Sequence, residues 1–191
     1  MEEDWIESEE LKSRQYTCGY CGFEIASNYG YTFSRELDPR GPSQFIYICH
    51  YCQSPTFFDR SNSQYPGEKY GNKILGLSQD VQELYDEARN CFTVNAYTST
   101  VLCCRKLLMN IAFNKGASEG NSFEFYVNYL NDNGYIPPDG KQWVDRIRKL
   151  GNKATHKIEL KNREDAELAL NFTSTLLKII YELPVLLKGS K

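Results

Sequence analysis

The chain has 191 residues, 41% of them hydrophobic and 25% charged, with 13 Gly and 7 Pro, a balance that excludes a disordered, collagen-like or low-complexity polypeptide. Its formal net charge of −3 argues against a protein that coats nucleic acid without specificity. The average hides an asymmetry: residues 1–10 carry six acids and no base, whereas residues 141–163 carry eight Lys or Arg against Asp145 and Glu159.

Residues 1–15 form an acidic N-terminal tail. Purely apolar runs extend only a few residues, against the roughly 18 that a bilayer-crossing helix needs, and the start MEEDWIESEE is not a basic leader. The expectation is a soluble, cytoplasmic protein with no membrane partner.

Seven cysteines would suit a secreted disulfide scaffold, but the count is odd and their spacing has a better explanation. Cys18-Gly-Tyr-Cys21 and Cys49-His-Tyr-Cys52 are two CxxC knuckles, and four thiolates so placed can close a tetrahedral Zn²⁺ site. Four protein ligands leave no open position, so one zinc per chain would hold a fold rather than activate water. His50, inside the second knuckle, is more simply a neighbour than a ligand. Alternating segments such as Tyr29–Phe33 and Gln44–Ile48 predict the strands of a zinc ribbon over residues 16–58. That span holds eleven of the 24 Phe and Tyr residues, too many for so small a ribbon to bury. Those left outside, interleaved with Arg35, Arg40 and Arg60, could pack on the rest of the chain, stack bases or grip a protein partner.

Residues 59–77 are rich in turn formers and predict a linker. From residue 78 to 188 the apolar period becomes helical, predicting an all-α bundle of about five helices and an α+β chain overall. Ser78 opens a stripe of Val81, Leu84, Tyr85, Ala88 and Cys91. Residues 95–114 are apolar nearly all round and form the central helix, in which Arg105 is the anomaly, since an enclosed guanidinium needs an acid or a bound anion. Cys91, Cys103 and Cys104 act as small core residues. A third helix opens at Ser122 and ends at Asn133-Gly134. A fourth is capped by Asp139 with Gln142 and turns Trp143, Ile147, Leu150 and Ala154 to the core. The last opens at Asn162 with Asp165 and stops at Pro184.

If the fourth helix continues through Gly151, and Trp143 is taken as zero, Arg148, Asn152 and His156 lie at about 140°, 180° and 220°, opposite the core stripe. With Lys149 and Lys153 they form a candidate phosphate-binding patch in which His156 can move a proton.

The segment Val101-Leu-Cys-Cys-Arg-Lys-Leu-Leu108, followed by Ile147-Arg-Lys-Leu-Gly-Asn-Lys-Ala-Thr-His156, resembles the HEPN-like helical domain of unknown function found in many prokaryotic proteins, often behind a zinc ribbon. The resemblance implies a HEPN-like bundle, a homodimer, and a setting in prokaryotic or phage defence or counter-defence. RNA-cleaving relatives would assign Arg148 to transition-state phosphate binding and His156 to general acid or base catalysis, without a metal in the chemistry. Here seven residues separate Arg148 from His156, and Met109 stands where the central-helix motif often has Glu. The preferred expectation is therefore a module binding nucleic acid or a nucleotide-like anion through Arg105, Arg148, Lys149, Asn152, Lys153 and His156. The alternatives are a metal-independent endoribonuclease assembled across the dimer, and a scaffold whose ribbon holds a protein.

Overall fold

A computed structural model describes residues 5–33, 44–137, 140–152 and 159–188, leaving the side chains at 141, 151 and 152 undescribed. The chain is α+β and divides into two compact units, Met1–Lys69 and Tyr70–Lys191.

The first unit is an antiparallel meander of β1 (Glu9–Thr17), β2 (Glu24–Phe33), β3 (Gln44–Ile48), β4 (Pro55–Phe58) and β5 (Gln64–Tyr65), paired in chain order. Alternation decides which side chains meet: Tyr16 stands opposite Ile25, Phe45 opposite Phe58, and Tyr47 between Gly30 and Thr56. Tyr16, Ile25, Tyr47 and Phe58 enclose Cys18 and Cys49 in a small core. A Cβ at Gly30 would collide with the Ile46 carbonyl, so β2 and β3 can approach only because this residue has no side chain. The sheet is wider than the sequence-predicted ribbon. Residues 9–15, which the sequence assigns to the tail, lie in β1, and Gln64–Tyr65, assigned to the linker, form β5.

The second unit contains α1 (Gln79–Thr93), α2 (Tyr97–Asn114), α3 (Phe123–Asp132), α4 (Lys141–Asn152) and α5 (Arg163–Leu177). A π-helical turn, Lys178–Glu182, continues α5 into a short α6 (Leu183–Lys188). As its all-round apolarity predicts, α2 is central, packing on α1, α3 and α5 and burying Val101, Cys104, Leu107, Leu108, Ile111 and Ala112. Ser122 caps α3 by accepting from the Phe125 N–H at 3.2 Å, and Asn162 with Asp165 forms a complete capping box on α5. Ser78 takes the N-cap position of α1 without a side-chain bond. Asp139 and Ala154 lie outside the described residues.

Two expectations are corrected. The core stripe of α4 is Val144, Ile147 and Leu150; Trp143, two residues past the helix start at Lys141, stays 43% exposed in a T-shaped contact with Phe172. Pro184 does not end the last helix. The wide π turn before it hands the Leu183 N–H to the Lys178 carbonyl, one residue further back than α-helical pairing, and Pro184 itself needs no acceptor. The joined helix Arg163–Lys188 is long and apolar enough to cross a membrane by length and composition, yet Ala166, Ala169, Leu170, Phe172, Leu176 and Leu177 are buried in the bundle.

Candidate metal centre and anion-binding residues

The two knuckles repeat one backbone device. In each, the first cysteine's carbonyl accepts from the N–H four residues on, Gly22 at 2.9 Å and Gln53 at 2.8 Å, and both of these residues have positive φ, 77° and 58°. In each, the first cysteine's N–H closes the loop onto a later carbonyl, Cys18 onto Phe23 at 2.9 Å and Cys49 onto Ser54 at 3.0 Å. The first knuckle is also braced at Gly19, where a Cβ would run into Pro66 and Gly67.

This folding brings Cys18, Cys21, Cys49 and Cys52 together with all four sulfurs within 4.8 Å of one another. Across the knuckles, Cys18 Sγ lies 3.8 Å from Cys52 Sγ, and Cys21 Sγ lies 3.8 Å from Cys49 Sγ. A disulfide needs about 2.05 Å. A regular tetrahedron of sulfurs about 2.3 Å from a central ion has edges of about 3.8 Å. The spacing fits an ion and not a bond, and all four thiols are free.

Electrostatics in the cluster is uneven. Burial pushes Cys18 up to about 12 and raises Cys49, while the Cys52 thiol falls to about 7 because the Ser54 hydroxyl and N–H and the adjoining thiols outweigh its burial. Backbone N–H groups of Tyr20 and Cys21 favour the Cys18 thiolate, and those of Tyr51 and Cys52 the Cys49 thiolate. Without an ion the set does not readily hold four negative charges; a divalent cation would supply the compensation that the donors leave incomplete.

The residues expected to bind an anion fare differently. Arg105, half-buried on α2, lies with its guanidinium carbon 4.7 Å from the Phe123 ring centroid, and burial pushes its pKa down. Among the described residues it forms no ion pair. Arg148 on α4 is already engaged: its guanidinium donates to Asp145 and to Asn128 Oδ1 at 3.1 Å and stands 3.7 Å from Glu124 Oε1. Lys149 is exposed, Asn152 closes α4, and Lys153 and His156 lie outside the described residues.

Sequence reasoning missed Arg89. It is 3% exposed, donates to the Tyr70 and Gly71 carbonyls at 3.0 and 2.8 Å, and pairs with Asp86 at 3.1 Å. Its position between Tyr85 and Phe92 on the buried stripe was the available signal. Arg89 clamps the residues leading into α1 and is fully occupied in doing so.

The sequence profile of a domain of unknown function, DUF4145, matches residues 86–189. The chain belongs to the DUF4145 family. In this DUF4145 protein the match begins inside α1 and covers every later helix, so the thiol cluster lies outside it. No curated protein and no solved structure matches the chain.

Proposed function

We propose that this DUF4145 protein is a non-catalytic binding module, in which a structural zinc ion closes the ribbon and a HEPN-like helical unit receives a phosphate-bearing ligand, nucleic acid or nucleotide. Four thiolates with no open position suit zinc in a structural role. The observation that carries the binding reading is Arg105, a half-buried guanidinium plated on Phe123 with no acid paired to it among the described residues. Such a group is poised to take a planar two-point contact from a phosphate. Lys149, Asn152, Lys153 and His156 are the further contacts on this reading, with Arg148 joining them only on release from Asp145 and Glu124. A setting in prokaryotic or phage defence rests on the HEPN resemblance alone.

The same engagement of Arg148 counts against the alternative of a metal-independent endoribonuclease with Arg148 and His156 paired across a homodimer. A scaffold role has a specific observation behind it: Tyr31, Phe33, Ile46 and Phe57 line a hollow of about 480 Å³ on the ribbon sheet.

Binding of a single-stranded RNA oligonucleotide and of ATP, measured across a salt series, tests the proposal. Arg105→Gln is expected to weaken binding about tenfold, equivalent to about 1.4 kcal/mol, and to lower the salt slope by about one. Equal binding by Arg105→Gln and the unaltered chain, or none by either, would overturn the reading. Cleavage of RNA in chelator that disappears with His156→Ala would establish the enzyme instead.

A further inference from the structure

Beside α4 and α5 the helical unit holds a hollow of about 260 Å³, lined by none of the thiols and none of the anion-binding candidates. Its walls include Ile136, Phe172 and Leu176 from the bundle core, each 5% exposed or less, and the ring of Trp143, which is 43% exposed. Trp143 and Phe172 meet edge to face at 67° with centroids 6.4 Å apart, which gives the hollow an aromatic corner. Among the described residues no charged side chain lines it. Thr175 brings the one hydroxyl, whose proton goes to the Asn171 carbonyl at 2.8 Å, so that it can only accept.

Such a lining selects by exclusion. A phosphate or carboxylate placed there would shed its water with no cation to replace it, which costs far more than the apolar contact returns. An alkyl chain would fit the space but make no use of the ring corner, whereas a flat ring can present its face to one aromatic wall and its edge to the other. An apolar cavity of about 150 Å³ takes benzene, so about 260 Å³ has room for a fused two-ring system. Trp143 leaves apolar ring surface in water beside that space, and a bound ring would cover it.

We propose that the hollow beside α4 and α5 is a binding site for an uncharged fused-ring aromatic molecule, wedged into the corner of Trp143 and Phe172, with a ring N–H donated to Thr175. The site is separate from the phosphate reading of Arg105 and stands without it.

Indole, added to the isotope-labelled full-length chain and followed by nuclear magnetic resonance, is the probe. The chain has two tryptophans, Trp5 in the ribbon unit and Trp143, so its spectrum carries two indole N–H signals, told apart by Trp5→Phe. Indole should move the Trp143 signal saturably, with half-saturation at about 1 mM or below, and leave the Trp5 signal in place. Thr175→Phe, which fills the space, should weaken this binding about tenfold. Indole-2-carboxylate and ATP should leave the Trp143 signal where it is. No saturable shift with indole, or equal binding by Thr175→Phe, would overturn the proposal. An equal response to the carboxylate would do so too, and decides the matter should Thr175→Phe not fold. A shift with ATP but not with indole would give the hollow to the nucleotide of the phosphate reading, and a dimer in sedimentation that Trp143→Ala dissociates would give it to a second copy; either result overturns the assignment.

Discussion

Arg89, Arg105 and Arg148 each interrupt or flank an apolar helical stripe, yet their surroundings give them different work. Arg89→Ala would strip donors from two backbone carbonyls and from Asp86, and is expected to cost about 3 kcal/mol, measured as a lower urea midpoint for the helical unit. Arg148→Ala removes an ion pair that water partly screens and is expected to change stability by less than about 1 kcal/mol in the same experiment. The sequence marked Arg105 as unusual because charge is rare in its segment. It did not mark Arg89, because the carbonyls that satisfy it come from Tyr70 and Gly71, well outside α1. Partners distant in sequence also hid the engagement of Arg148, since Asn128 and Glu124 reach it from α3.

At the scale of elements, what was legible is what is encoded locally. The CxxC knuckles, the Ser122 cap and the Asn162–Asp165 box each fit within a few residues and appear where their spacing places them. Asn162→Ala is expected to lower the thermal stability of the helical unit by about 1 kcal/mol, read by calorimetry. The sheet was less legible. The segment Glu9–Thr17 shows only Leu11 and Tyr16 as apolar residues, and its strand exists because β2 pairs with it. Pro184 misled because a proline ends a regular α-helix, whereas here the π turn at Lys178–Glu182 precedes it and the helix continues to Lys188. In β2, Gly30→Ala is expected to disrupt the β2–β3 pairing and with it metal uptake, since both knuckles hang from those strands.

At the scale of the molecule, two compact units predict two transitions. In the helical unit, burial holds Cys104 and Tyr85 at about 12, well above their ordinary 9.0 and 10.0. Between pH 9 and 12 the folded state therefore keeps protons that the unfolded state releases, so stability falls as pH rises through that window. Cys104→Ala should flatten the alkaline decline, as followed by circular dichroism. With the proposed zinc in place, the ribbon should respond at the other end of the scale: acid would return protons to the thiolates and eject the ion, so its order should fade on acidification and return with zinc at neutral pH. Strong chelators at neutral pH should likewise melt the sheet while the helical signal persists.

Metal analysis of the purified full-length chain, combined with X-ray absorption at the metal edge, tests the thiol cluster most directly. The expected result is one zinc per chain surrounded by four sulfurs at about 2.3 Å. A chain that carries no metal, with Cys18, Cys21, Cys49 and Cys52 recovered as disulfides, would contradict it.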